Sequence, residues 1–200
     1  MGGVRAQQLT SQQSRFGLAR SFRSAEGVTI EEAFCFMSSL YFRGKLTYAK
    51  QFIAGPGASQ NSRIFIIAPG FGLVSPDWRL TLDRTRIMQD VGVDLKNARF
   101  RTPLEAHAAQ LKATLDERWQ VILLGSIASD KYVNALSPIF GDRLVAPRLF
   151  IGIGDMSRGA LLLRCARSRR ELEYMPLNPT CRRTRRRTFP PGLFPFSTDL

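Results

Sequence analysis

The sequence has one histidine, His107, and only three cysteines, Cys35, Cys165 and Cys181, in 200 residues. A lone histidine excludes a histidine-rich metal centre and leaves a Ser-His-Asp triad without support. Three widely spaced cysteines offer neither a disulfide framework nor a metal knuckle, so reduced, buried thiols are expected. No apolar run reaches the ~18 residues of a membrane span. The N-terminus lacks the apolar core of a secretory signal, which makes the cytoplasm the expected compartment. Acidic residues are also scarce: 16 Asp and Glu stand against 29 Lys and Arg, for a formal charge of +13. Nothing calls for a cofactor or a metal.

The charge is unevenly placed. Before Val28, Arg5, Arg15, Arg20 and Arg23 face only Glu26, and after Leu177 five arginines face only Asp199, so the two ends supply 7 of the 13. Residues 1–27 are polar, without periodicity, and read as a disordered segment, with some likeness to an organelle transit peptide. Residues 178–200 read as a basic, Pro- and Phe-rich tail that includes Arg182–Arg187 and the stretch Phe189–Phe196. Between them, residues 28–177 are long enough for a single domain with an ordinary core.

That domain alternates helical and strand patterns. Thr29-Ile-Glu-Glu32 is a capping box, and Ala33, Phe36, Met37, Leu40 and Tyr41 follow at helical spacing. Gly44 interrupts the stripe, which Tyr48, Ala49 and Phe52 resume. A glycine costs a helix interior about 1 kcal/mol relative to alanine, so either the helix breaks there or another backbone packs close. Gly55–Asn61 reads as a linker. Arg63–Ala68 is apolar on both faces, like a central parallel strand, and ends in the Pro69-Gly-Phe-Gly72 loop. Trp78–Arg101 suggests a short helix or a lid. Thr102-Pro-Leu-Glu105 signals a second helix start, leading to the strand Val121–Leu124, the turn Gly125–Ser129 and a helix from Asp130. Asp142–Ala146 is a further strand. Gly152–Gly159 opens a buried helix for which Asp155 is a cap candidate, and Glu171–Met175 reads as an edge strand. The expectation is an α/β fold in three layers, a mostly parallel sheet of about four strands with helices on both faces.

Four stretches, Leu40–Ala49, Ile66–Leu73, Leu124–Tyr132 and Gly152–Gly159, resemble in order and spacing an uncharacterised bacterial and phage α/β domain family, over roughly Val28–Met175. Members of that family carry a Ser-Ala-Lys type loop after the first strand; Ala68-Pro69-Gly70 stands here, without the lysine. The resemblance implies an architecture similar to domains that handle nucleobases and nucleotides.

If the strands run parallel, their C-terminal loops meet at one edge, where helix N-termini present free N–H groups to an anion. Gly125, Ser126 and Lys131 are then ligand-binding candidates, with Arg43, Lys45 and Arg158 as further cations and Asp77 or Asp155 as general base. Each has a plain structural alternative: solvated cations, a turn aspartate at Asp77, a helix cap at Asp155. Tyr48 and Tyr132 could stack a base or lie in the core. The leading expectation is binding of a phosphorylated or nucleobase-containing small molecule, with hydrolysis or transfer as its chemistry. The alternative is a non-catalytic nucleic-acid-binding accessory that acts through its basic tails.

Overall fold

The computed structural model describes residues 3–53, 63–127 and 130–177. The linker Gly55–Asn61, most of the turn after Ile127, Cys181 and the C-terminal tail lie outside the described residues.

Between Val4 and Arg23, where disorder was expected, the chain forms α1 (Val4–Thr10) and α2 (Gly17–Arg23). Leu9, Ala19 and Phe22 are fully buried, in one apolar cluster with Ile30, Ala33 and Leu80. Arg23 locks the connection by donating to the carbonyls of Ser11 and Ser14, both at 2.6 Å. These apolar side chains, scattered among polar ones, show no regular period in the sequence, yet they suffice once a neighbouring surface receives them.

β1 (Val28–Thr29) pairs antiparallel with β4 (Arg79–Leu80), and the capping box then starts α3 (Ile30–Phe52). Thr29 Oγ1 accepts from Glu32 N–H at 3.2 Å, and Glu32 Oε2 accepts from Thr29 N–H at 3.0 Å. α3 is not straight. Nineteen residues of regular helix would separate Glu31 from Lys50 by about 28 Å, whereas their side chains form an ion pair at 2.6 Å. Phe34 and Phe42 also meet edge to face, 5.2 Å apart. Both pairs bracket the middle of α3. The second half of α3 therefore folds back beside the first.

The expected four-stranded, mostly parallel, three-layer sheet is absent. The described chain is about 57% helical, and its strands are short and divided among small sheets. β2 (Ile66–Ala68) does not sit between parallel neighbours; it turns directly into β3 (Gly72–Val74), antiparallel, with Ala68 opposite Gly72. The reason is local. Gly70 and Gly72 both adopt positive φ, 83° and 74°, so the chain reverses within three residues instead of crossing over a helix. The hairpin docks on α5 (Ala98–Thr114), where Gly72 faces the Pro103 carbonyl and His107 Nδ1 lies 3.1 Å from the Leu73 backbone N. The single histidine thus clamps the hairpin to a helix. Between them lies α4 (Leu82–Val91), capped by Thr81; α5 starts one turn earlier than its Thr-Pro signal, capped by Asn97.

One parallel pair does form. β5 (Val121–Ile122) crosses through α6 (Asp130–Phe140) to β6 (Leu144–Pro147), which is buried along its whole length because β7 (Tyr174–Pro176) pairs antiparallel on its other side. From β6 the chain passes through a single 3-10 turn, Arg148–Phe150, into α7 (Asp155–Arg167). α7 crosses the second half of α3 at Gly44 and Gly159. A Cβ on Gly44 would lie 2.5 Å from the Gly159 carbonyl oxygen. The glycine in the helical stripe therefore marks a close backbone approach.

Candidate functional site

The crossing of α3 and α7 places four polar side chains where the loops after β5 and β6 arrive. Tyr41 and Lys45, one turn apart on α3, share a face; Asp155 and Arg158 share a face at the start of α7. Tyr132 comes from α6, beside the Gly125 loop. The Lys45 ammonium sits 3.6 Å from the centroid of the Tyr41 ring. Arg158 is only 5% exposed, and it donates to the Phe150 carbonyl at 3.1 Å and to Asp155 Oδ1 at 3.2 Å. Asp155 itself is largely solvent-facing, with a side chain 61% exposed.

Two buried polar atoms in this cluster, the Tyr41 hydroxyl and Arg158 Nε, have no well-formed hydrogen bond among the described residues, although Arg158 and Asp155 lie close enough to the Tyr41 hydroxyl to act on its proton. Unsatisfied buried groups cost about 1–3 kcal/mol each and are uncommon, so each calls for an explanation such as water, an ion or a catalytic role. The N-terminus of α7 also lacks a side-chain cap: Gly154 occupies the cap position, and Asp155 turns its carboxylate to Arg158 instead of back to the helix N–H groups. The cap reading of Asp155 is thereby corrected.

Electrostatics follow from burial. Desolvation pulls the Lys45 ammonium down to about 8, with Asp155 opposing the shift and the Arg158 charge reinforcing it. Burial pushes both Tyr41 and Tyr132 up, and the Asp155 carboxylate adds to each. Because Lys45 holds its proton less tightly in the folded chain than in the unfolded one, its burial costs most below pH 8. That cost is relieved as pH rises from about 8 towards 10.5, where the unfolded lysine also loses its charge. Chemical denaturation should accordingly show Lys45→Met to be more stabilising at pH 7 than at pH 9.5; an equal effect at both pH values would contradict the buried, unpaired ammonium.

Of the residues expected from sequence, Lys45, Asp155 and Arg158 come together. The Gly125–Ser126 turn adjoins them: a Cβ on Gly125 would lie 3.7 Å from the Tyr132 ring, and the flanking Leu124 and Ile127 pack with Phe150 and Leu162. The other three do not join them. Lys131 is exposed on the first turn of α6, and Arg43 is exposed on the Cys35 side of α3. Asp77 is exposed in the turn whose Pro76 and Trp78 carbonyls accept from the first N–H groups of α3. The Pro69–Asp77 loop fails to reach the cluster because β2 and β3 form a hairpin on α5. Tyr48 is a core residue: its hydroxyl accepts from Leu172 N–H and meets the Tyr174 hydroxyl, both at 2.8 Å. Tyr41 was missed, although its position four residues before Lys45 was a usable signal.

Two surface depressions of about 420 and 460 Å3 lie elsewhere, one beside Gly70 and Pro103, the other between α1 and α4, and no residue of the cluster lines either. They lack its convergence of buried, unsatisfied polar groups. Among the described residues no group of acidic, histidine and cysteine side chains could hold a metal, and no helix is long and apolar enough to cross a membrane. No family model, no curated protein and no solved structure matches the chain.

Proposed function

We propose that the α3–α7 crossing binds the anionic group of a small phosphorylated molecule, at the C-terminal ends of the parallel strands β5 and β6. The observation that carries this reading is the pair of cations, Lys45 and buried Arg158, gathered at a helix N-terminus without a side-chain cap, with Asp155 the one carboxylate beside them among the described residues. A helix N-terminus and two cations attract phosphate through dipole and charge together. Arg158, buried and with its Nε unpaired among the described residues, adds its charge to the site from beneath. Three of the eight large apolar residues that are exposed among the described residues, Leu149, Ile151 and Met156, flank the same Gly-rich turn. They favour a ligand with an apolar or planar portion, in keeping with the nucleobase-containing class. Asp155 is the carboxylate available as a base.

Thermal unfolding of the full chain with inorganic phosphate, nucleoside monophosphates, nucleosides and sugar phosphates tests this. A ligand at a hundred times its Kd adds about 2.7 kcal/mol. Phosphorylated compounds should stabilise the protein and their dephosphorylated counterparts should not, with the effect weakening as pH passes about 8 and Lys45 loses its charge. Equal stabilisation by nucleosides and nucleotides, or by neither, would overturn the reading.

A further inference from the structure

Lys45 differs from the other four lysines of the chain. Lys50 pairs with Glu31 at 2.6 Å, and Lys96, Lys112 and Lys131 are exposed. Lys45 makes no ion pair among the described residues: the nearby carboxylate, Asp155, is engaged by Arg158 at 3.2 Å. Its amine instead rests on the Tyr41 ring, beside a second, buried cation. Desolvation and a cationic neighbour are the two devices that keep a lysine amine unprotonated and nucleophilic.

We propose that Lys45 is a nucleophilic amine that forms an imine with a phosphorylated aldehyde or ketone, whose phosphate is held by Arg158 and the first turn of α7. The proposal rests on the phosphate-binding reading above and adds the ligand's reactive group. The nitrogen lone pair forms a bond to the carbonyl carbon while the C=O π pair moves to oxygen, which takes up a proton to become hydroxyl. The nitrogen loses a proton to Asp155. That proton then leaves with the hydroxyl as water when the C–O bond breaks and the C=N bond forms. The second nitrogen proton passes to solvent and replaces the one that the oxygen took up from it, so amine and carbonyl become imine and water with no oxidant or reductant. The Tyr41 ring, 3.6 Å from the amine, holds it in place for the attack.

The test uses pyridoxal 5′-phosphate, as a probe that joins an aldehyde to a phosphate, with the full-length protein near pH 7.5. Adducts are trapped with sodium cyanoborohydride and mapped by peptide mass spectrometry. Lys45 should be labelled roughly tenfold faster than any other lysine, because its larger free-amine fraction outweighs its lower basicity. Excess inorganic phosphate should suppress that label, and pyridoxal without phosphate should label Lys45 slowly. In Lys45→Arg the fast adduct should vanish; its persistence would place the reaction elsewhere and overturn the proposal. If phosphate stabilises the protein but Lys45 labels no faster than the exposed lysines, the imine proposal fails while the phosphate site stands. If phosphate neither stabilises the protein nor protects Lys45, both fail.

Discussion

Replacing Gly159 with valine should leave a protein that unfolds at least ~10 °C lower than the parent or does not accumulate in folded form. A Cβ at this position would lie 2.8 Å from Tyr41 Cα and 2.9 Å from the Leu40 carbonyl oxygen, and one at Gly44 would lie 2.5 Å from the Gly159 carbonyl oxygen. Every one of these neighbours is backbone, so no side chain can swing aside. α3 and α7 would have to separate, opening the cluster in which Tyr48, Phe150 and Leu162 are almost wholly buried. Overpacking costs 1–3 kcal/mol where side chains can adjust, and more where they cannot. For a chain of this size each kcal/mol lowers Tm by about 2–4 °C. The conservative variants sharpen the argument. Alanine is favoured over glycine in a helix by about 1 kcal/mol, so Gly44→Ala or Gly159→Ala would stabilise an uncrowded helix. Both should destabilise this one, as read by circular dichroism on heating. A neutral or stabilising Gly159→Ala would mean that the helices do not cross this closely.

Arg158→Met should weaken phosphate binding about a hundredfold, close to 3 kcal/mol, through loss of a charge-assisted donor and of half the positive charge. Its effect on folding should be far smaller. Methionine can fill the space of the arginine stem, and the lost ion pair joins a buried guanidinium to a carboxylate that is mostly solvated, an arrangement of little net worth to stability. The Phe150 carbonyl loses its donor, so a decrease of about 1 kcal/mol is expected. Isothermal titration with phosphate beside thermal unfolding separates the two effects. Lys112→Met, an exposed change on α5, is the control and should leave both readouts within error. Collapse of the fold in Arg158→Met with phosphate affinity retained in the surviving fraction would make Arg158 a structural anchor and remove it from the site.

Legibility in the sequence followed the range of the interactions. The Thr29–Glu32 capping box is a contact between residues three apart, and it formed as read. Gly44 announced that something unusual happened in the helix; the partner backbone, more than a hundred residues away, could not be named. Lys45, Asp155 and Arg158 were singled out as charged residues beside glycines, and they converge because those glycines permit the crossing. Arg43, two residues from Lys45, was singled out by the same logic and lies apart, since two residues along a helix turn a side chain to the opposite face.

Local chemistry thus determined where α3 begins, that a loop follows Ala68, and that the chain carries a surplus of cations for a small number of acids. Tertiary structure decided the rest. An apolar run such as Arg63–Ala68 has the same composition in a parallel sheet as in a hairpin; the choice was made by two glycines that reverse the chain and by the surface of α5 that receives it. The sharp bend of α3, the burial of α1 and α2, and the meeting of Tyr41 and Lys45 with Asp155 and Arg158 all depend on contacts distant in sequence. Such contacts are selected by the packing of the whole core, and no window of neighbouring residues encodes them.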